Sequence, residues 1–294
     1  MNKKVIAEAN LPLKRIGGKN KIREMYDIGS SRVLMVATDK VSAFDVVMKN
    51  CIPFKGSVLT AISAFWFGRT MQICPNHFIT TRFDFFPHDL QELLDPYREI
   101  LEGRSMLIQK ADPLPIECIV RGYLLGSAWK SYKESGIVCG IELPEGLHKG
   151  QKLSQPIFTP STKAVLGQHD ENITFEQACD IVGSETARTL KWQSIRLYSF
   201  MADEARSKGI VITDTKFEFG KRCSDGNIIQ IDESGTPDSS RYDPDYSKEP
   251  LRVYLESIKF DKKNSIELPP NVVKETSERY LMGCEIITGR KITA

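Results

Sequence analysis

The stretch of residues 210–232 constrains the fold more than any other part of the chain. Two runs rich in β-branched and aromatic residues, 210–219 and 228–232, lie on either side of a Ser-Asp-Gly-Asn turn at 224–227. This pattern predicts two antiparallel strands joined by a loop. Strands and helices alternate elsewhere without a clean βαβ repeat, which favours the α+β class.

The first of these strands carries charged residues on one face. Successive side chains point to opposite faces of a strand, so Asp214, Lys216 and Glu218 share one face. Phe217 and Phe219 share the other face, which is suited to a core. The charged face has two interpretations, which are a solvated surface with weak ion pairs and a site that binds an anionic group.

The returning strand ends in two carboxylates, Asp232 and Glu233. Pairing across the turn can bring Asp232 near Glu218, and two carboxylates repel unless a cation or a proton lies between them. Mg²⁺ typically takes one or two carboxylates together with nucleotide phosphates. A nearby lysine can hold a phosphate or an anionic substrate. These features favour a site for phosphoryl transfer or carboxylate activation.

A second predicted strand, 116–124, brings Arg121 close to a Gly-Ser turn at 126–127. A guanidinium beside such a turn can bind a phosphate or a carboxylate. An arginine in an ordinary ion pair would give the same pattern, so this strand alone does not establish a binding site.

Two loop segments carry further charged residues. Residues 234–243 contribute hydroxyls, Asp238 and Arg241, for which an ordinary polar loop is the alternative. The turn at 17–23 is rich in Gly, Lys and Arg and could cover nucleotide phosphates. The sequence has neither a GxxxxGK[ST] P-loop nor a GxGxxG fingerprint, so a Walker site and a Rossmann site are unsupported.

The sequence Asp-Pro-Leu-Pro at 112–115 divides the chain, because each proline removes a donor and disfavours helix before it. Ahead of this break, short apolar runs predict strands at 22–28, 32–37 and 105–110. An apolar run with helical spacing predicts one buried helix at 57–73. We predict an N-terminal α+β nucleotide-binding domain, residues 1–112. A C-terminal α+β domain, residues 113–294, would carry the metal and substrate residues.

The C-terminal part predicts a loop followed by helices. Residues 135–172 are rich in Gly, Pro, Ser and Thr and are predicted as a loop. A capping box at 174–177 opens a helical pattern that ends at Gly209 and is divided at Gly183. The last fifty residues are predicted as helices.

Composition excludes several classes of protein. Forty Lys and Arg against 38 Asp and Glu leave a formal net charge of +2, which gives no sign of bulk nucleic-acid binding. No apolar run approaches the roughly 18 residues of a membrane span. The N-terminus lacks the apolar run of a secretory signal, so we expect a cytoplasmic protein without membrane or nucleic-acid partners. Seven scattered cysteines without a CxxC pair do not support a disulfide framework or a structural zinc site.

Six segments resemble those of the SAICAR synthetase (phosphoribosylaminoimidazole-succinocarboxamide synthase) family. They occur in the family's order and span nearly the whole chain. They are KIREMY at 21–26, ATDKVSAFD at 37–45, LPIECIVRGYLLGS at 114–127, FTPSTKA at 158–164, ITDTKFEFG at 212–220 and DESGTPDSSR at 232–241. The length of the chain fits the longer single-function form of the family.

The resemblance implies a two-domain α+β fold related to kinase-like and ATP-grasp architectures, with a nucleotide cleft between the domains. It also implies a ligase that uses ATP and Mg²⁺ to join L-aspartate to carboxyaminoimidazole ribotide in purine biosynthesis. These small molecules would be its partners, and the chain would act as a monomer or a homodimer.

By motif match, the resemblance also gives roles to charged residues. Lys216 and Asp214 would be catalytic and would face the reacting carboxylate. The metal would be held by Glu218 and Asp232, which would also contact the nucleotide. The other nucleotide contacts would be Lys21, Arg23 and Lys110. The ribotide would be bound by Arg121, Ser127, Lys163, Asp238 and Arg241.

The implied chemistry explains the charges, because a carboxylate is a poor electrophile. Transfer of the γ-phosphoryl group would give an acyl phosphate that the aspartate amine could displace, while magnesium and Lys216 offset negative charge. Two alternatives remain open at this point. An inositol-phosphate-type kinase would transfer phosphate to a hydroxyl, and a non-catalytic module would bind nucleotide without turnover.

Overall fold

Two antiparallel sheets, one mostly from each half of the chain, frame the structure. The computed structural model describes residues 5–18, 22–44, 46–163, 170–246 and 248–293. The strands are, in chain order, β1 (Lys14–Ile16), β2 (Arg23–Asp27), β3 (Arg32–Ala37), β4 (Lys40–Ala43), β5 (Val46–Cys51), β6 (Phe78–Thr80), β7 (Ser105–Gln109), β8 (Ala111–Pro113), β9 (Ile116–Tyr123), β10 (Ile137–Val138), β11 (Ile141–Glu142), β12 (Lys152–Phe158), β13 (Ser161–Thr162), β14 (Val211–Arg222), β15 (Ile228–Ile231) and β16 (Ser240–Asp243).

The helices lie between and after these strands. They are α1 (Lys55–Thr70), α2 (His88–Leu94), α3 (Arg98–Leu101), α4 (Gly126–Ser135), α5 (Phe175–Val182), α6 (Ser184–Ser207), α7 (Glu249–Ser257) and α8 (Pro270–Thr288), with short 3₁₀ turns at Phe83–Phe85 and Asp95–Tyr97. None of the helices in the described part of the chain combines the length and the apolar character that crossing a membrane requires.

The first sheet has the strand order β1-β2-β3-β7-β6 and is antiparallel throughout. The predicted strands at 22–28, 32–37 and 105–110 are confirmed within one residue at each end. Arg23 opens β2 and stands opposite Ala37, the last residue of β3. This register places Arg23 at the end of the sheet.

The second sheet is built around β14. Its main order is β12-β9-β14-β15, while β8 and β16 also pair with β14 and β13 pairs with β9. The predicted hairpin is confirmed, because β14 and β15 are antiparallel with Glu218 opposite Ile231. The central strand therefore carries the charged face predicted from its alternation.

The prediction of an uninterrupted loop over 135–172 is wrong. Residues 137–142 form the small hairpin β10–β11, and β12 pairs with β9 at the edge of the second sheet. Pro156 and the polar residues around it obscured this strand. Proline is tolerated in an edge strand, because the backbone groups along one side of that strand have no neighbouring strand to bond with.

Predictions for the helices are largely confirmed. Thr174 and Gln177 form the reciprocal capping box at the start of α5. Gly183, with φ 86°, separates α5 from α6. The apolar helix α1 begins and ends two to three residues earlier than the predicted 57–73, and α7 and α8 occupy most of the last fifty residues.

Helix α1 contributes to the cores beneath both sheets. Trp66 packs in the larger core with Phe217 of β14. Its neighbour Phe67 packs with Val33 of the first sheet. Strand β8, at the predicted boundary, pairs with β14. The division at 112/113 stays a prediction, since α1 links the two halves through shared packing.

Candidate active site

The charged face of β14 is completed by residues from two other segments. Lys216 Nζ lies 3.4 Å from Glu218 Oε1, which confirms that the two side chains share a face. The same ammonium lies 2.5 Å from Glu117 Oε1 on β9, and Lys163 Nζ lies 2.6 Å from Glu218 Oε2. We call these four residues the strand cluster. Two lysines and two glutamates form a connected ion-pair network on this face.

Strand pairing explains how the strand cluster forms. The antiparallel register of β9 and β14 places Ile119 opposite Lys216, so Glu117 stands diagonal to Lys216 on the same face. Lys163 follows β13, which pairs with the start of β9. No local pattern identifies Lys163, and only the family resemblance selected it.

The strand cluster keeps Lys216 charged. Burial would lower the pKa of this lysine, but the carboxylates of Glu218 and Glu117 raise it above its usual value. Burial also raises the pKa of Glu117, against the opposing effect of Lys216. A fixed ammonium in a partly buried site can offset negative charge that develops on a bound carboxylate or phosphoryl group.

A second group, the arginine cluster, consists of Arg121, Ser127, Asp214 and Arg241. Asp214 Oδ2 accepts hydrogen bonds from Nη1 of Arg121 at 2.9 Å and from Nη1 of Arg241 at 2.6 Å. Arg121 Nη2 donates to Ser127 Oγ at 3.1 Å. Arg121 is buried, whereas the Arg241 side chain is 37% exposed. One carboxylate therefore orients two guanidiniums, and Arg241 is the more accessible to a ligand.

The arginine cluster opens into a cavity of about 1,020 Å³ that Ser127 and Arg241 help to line. Gly126 has φ 58°, and a Cβ there would lie 2.6 Å from Arg241 Nη1, so the turn requires glycine. The wall also carries cationic and aromatic residues that sequence reasoning did not select: Phe44, Trp129, Lys130, Lys149, Lys248 and Arg252. Such a lining suits an anionic small molecule that contains a ring.

Arg23 of the first sheet binds Asp232 of the second. Its Nε and Nη2 donate to the two carboxylate oxygens at 2.8 and 2.6 Å, and Nη1 lies 3.1 Å from Glu233 Oε2. Burial would lower the pKa of Arg23, but Asp232 and Glu233 raise it. Burial would raise the pKa of Asp232, but Arg23 and then Lys216 lower it. The pair joins the two sheets beside the strand cluster.

The predicted magnesium ligands, Glu218 and Asp232, lie on facing segments of the hairpin. Asp232 directly follows Ile231, the residue opposite Glu218. Among the described residues, no group of three or more His, Cys, Asp or Glu side chains is arranged to hold a metal. Two carboxylates fit Mg²⁺ when phosphate oxygens complete its coordination. This ligand pair remains a prediction, and Asp232 would share its carboxylate between the metal and Arg23.

Asp238 belongs to a third group, and its carboxylate pairs with lysines and a tyrosine instead of with Arg121 or Arg241. Lys55 Nζ lies 2.6 Å from its Oδ2, the Tyr280 hydroxyl donates to its Oδ1 at 2.8 Å, and Lys248 Nζ lies 3.7 Å from Oδ1. We call these four residues the interior cluster. Burial would raise the pKa of Asp238, but Lys248 and Lys55 hold it well below its usual range. Sequence reasoning selected Asp238 and missed its three partners.

The other predicted nucleotide contacts lie apart from these clusters or outside the described residues. Lys110 Nζ lies 3.3 Å from Asp27 Oδ1. Asp27 and Arg23 stand at opposite ends of β2, so the length of that strand separates Lys110 from Arg23. Lys21 falls outside the described residues. The roles of Lys110 and Lys21 stay predictions.

Comparison with known proteins agrees with the resemblance seen in the sequence. A family model described as SAICAR synthetase matches residues 17–268. The chain is similar to the phosphoribosylaminoimidazole-succinocarboxamide synthases of Syntrophotalea carbinolica, at 48% identity over 98% of this chain and 99% of that protein, and of Desulfatibacillum aliphaticivorans, at 50% identity over 92% and 93%.

A solved structure shares the fold. The structure described as SAICAR-synthase from Saccharomyces cerevisiae complexed with SAICAR is 39% identical, with a TM-score of 0.87 over 98% of this chain and all of that chain. The chain belongs to the SAICAR synthetase family.

Proposed function

We propose that this protein is an ATP-dependent ligase that joins L-aspartate to 5-amino-1-(5-phosphoribosyl)imidazole-4-carboxylate. The products are SAICAR, ADP and phosphate, and the reaction belongs to purine biosynthesis in the cytoplasm. The observation that carries the proposal is the strand cluster, in which Lys216 is held between Glu117 and Glu218. Lys216 lies two residues along the same strand face from Asp214, whose carboxylate binds Arg241 at the cavity wall. The names of relatives that match nearly the full length support the same reaction.

The arginine cluster would bind the anionic ends of the ribotide. Arg241 and Ser127 face the cavity, and Arg121 is held behind them by Asp214. A guanidinium pairs with phosphate or carboxylate oxygens through parallel hydrogen bonds. Asp214 Oδ2 accepts hydrogen bonds from both guanidiniums. We therefore infer that Asp214 orients the two arginines in addition to its predicted catalytic role.

The strand cluster would lie at the reacting carboxylate. A carboxylate oxygen of the ribotide attacks the γ-phosphorus of ATP, the bond from phosphorus to the β-phosphate oxygen breaks, and ADP leaves. The aspartate amine then attacks the acyl carbon, and phosphate departs with the former carboxylate oxygen. Lys216 would offset negative charge on the reacting oxygens, while Lys163 keeps Glu218 paired.

ATP would lie against the junction of the two sheets. Arg23, with Lys21 ahead of it in the chain, would contact the phosphates, and Glu218 and Asp232 would hold Mg²⁺ together with phosphate oxygens. When bound, magnesium would neutralise phosphate charge. Arg23 is already fixed by Asp232, so its guanidinium is oriented before nucleotide arrives.

The decisive assay measures ADP and phosphate release with ATP, magnesium and the ribotide, with and without L-aspartate. The proposal predicts that release needs both substrates and that ADP and free phosphate form in equal amounts. A kinase would release ADP without aspartate and leave phosphate on the acceptor. A binding module would bind ATP without releasing ADP. Either of these results would refute the ligase assignment.

A further inference from the structure

The interior cluster takes its hydroxyl from a helix that follows the residues matched by the family model, although the matches to full-length relatives cover 98% of the chain. The family match ends at residue 268, before α8 begins at Pro270. Tyr280, on α8, has no exposed surface, and its hydroxyl donates to Asp238 Oδ1 at 2.8 Å. The helix therefore reaches a residue of the DESGTPDSSR segment, which the family shares.

Helix α8 also holds the segments that deliver both lysines of the interior cluster. Ser277 Oγ donates to the carbonyl of Pro53 at 2.8 Å, two residues before Lys55. At Gly283 a Cβ would lie 2.7 Å from Tyr246 Cβ, so the helix packs directly on the chain that leads to Lys248. One helix thus supports Lys55, Lys248 and the carboxylate between them.

Lys248 connects the interior cluster to the cavity. Its ammonium donates to the carbonyl of Ser42 at 3.0 Å and lies 3.7 Å from Asp238 Oδ1. Lys248 also lines the cavity together with Ser127 and Arg241. The Tyr280 hydroxyl and Lys248 therefore approach the same carboxylate oxygen, and the hydroxyl lies closer to it.

We propose that Tyr280 is a positioning residue, whose hydroxyl occupies Asp238 Oδ1 and thereby keeps the Lys248 ammonium at the cavity wall, where it contacts an anionic sugar phosphate. The choice of the ribotide as that sugar phosphate rests on the proposed function. Without the hydroxyl, Oδ1 of this buried carboxylate loses its hydrogen-bond donor, and the ammonium of Lys248, 3.7 Å away, moves closer to replace it. Lys248 then withdraws from the cavity.

The test substitutes Tyr280→Phe, which keeps the ring and its packing. We expect the KM for the ribotide to rise roughly tenfold, in line with one charge-assisted hydrogen bond, with the KM for ATP unchanged and kcat within about twofold. In a Lys248→Met background, Tyr280→Phe should cause no further rise. A purely structural role for the hydroxyl would not produce this dependence on Lys248.

Tyr26→Phe is the matched control, because the Tyr26 hydroxyl donates to the Glu24 carboxylate at 2.7 Å in a buried part of the first sheet. This variant should lose stability with every KM unchanged. If Tyr280→Phe behaves like the control, or if its effect adds fully to that of Lys248→Met, the positioning role is refuted.

Titration calorimetry with ribose 5-phosphate separates this inference from the proposed function. Tyr280→Phe should weaken binding of this probe roughly tenfold even if the wild-type protein makes no SAICAR. That result would keep the positioning role while the ligase assignment fails. Equal affinity in wild type and variant would contradict the positioning role, whatever the assay for ligase activity shows.

Discussion

The strand cluster and the interior cluster contain the same kinds of charge but differ in access. In the strand cluster, Lys216 and Lys163 pair with glutamate carboxylates. In the interior cluster, Lys55 and Lys248 pair with the carboxylate of Asp238. The Lys216 side chain is 30% exposed, whereas that of Lys55 is fully buried. Access therefore decides whether the loss of Lys216 or of Lys55 mainly affects the reaction or the free energy of unfolding.

The strand cluster gives the largest expected effect on activity. Lys216→Ala should lower kcat at least about 1,000-fold, because Lys216 supplies the ammonium that lies between Glu117 and Glu218. The free energy of unfolding should fall by less than in Lys55→Met, by about 1 kcal/mol, because Lys216 is partly exposed and Lys163 still pairs with Glu218. Steady-state kinetics and urea unfolding measure the two quantities.

Lys221→Ala is the control on the same strand, because Lys221 is exposed and points to the opposite face. It should leave both quantities unchanged. Near-normal kcat in Lys216→Ala would remove the strand cluster from the reaction and erase the difference between the two clusters.

The interior cluster gives the largest expected effect on stability. Lys55→Met should lower the free energy of unfolding by about 3 kcal/mol, because a buried carboxylate loses its closest cation. Adding Asp238→Asn should recover part of that loss, since the unpaired charge is then removed. Urea unfolding of the single and double variants measures the coupling, and strictly additive losses would show that Lys55 and Asp238 act independently.

The pH dependence of stability should differ in sign between the clusters. The pKa of Asp238 lies well below its unfolded value of 3.8, so its stabilisation is complete above that value and is lost as pH falls. Between pH 5 and pH 3, wild type should lose about 1 kcal/mol more than Asp238→Asn. The pKa of Glu117 is raised from 4.5, so its contribution is complete below that value and is lost as pH rises.

Urea unfolding of wild type, Asp238→Asn and Glu117→Gln at several pH values would measure how each carboxylate changes the free energy of unfolding with pH. The same sign for the two variants would contradict the assignment of opposite pKa shifts. This is the smallest of the expected effects on the two clusters.

The two clusters also differ in how far the sequence predicts them. Alternation along one strand predicts the shared face of Lys216 and Glu218, and the hairpin brings Asp232 near them. Lys163 follows a two-residue strand with no periodic signal, so only the family resemblance selected it. The fold class and most elements follow from local pattern, but β12 does not, because its proline and polar residues resemble a loop.

The interior cluster depends on contacts between distant segments. Lys55 opens a helix whose apolar pattern gives no reason to expect a buried ammonium at its start. Its partner Asp238 is 183 residues away, and Tyr280 lies a further 42 residues along the chain. Local pattern cannot predict such a site, since its stability comes from charges that meet only after the sheets and α8 have packed.

The most direct test of the central claim is an isotope measurement on the wild-type protein. The ribotide is labelled with ¹⁸O in both carboxylate oxygens, turned over with ATP, magnesium and L-aspartate, and the released phosphate is analysed by mass. Activation of the carboxylate beside Lys216 predicts one ¹⁸O in each phosphate, because the former carboxylate oxygen leaves with phosphorus. Unlabelled phosphate alongside labelled SAICAR would contradict the acyl phosphate route.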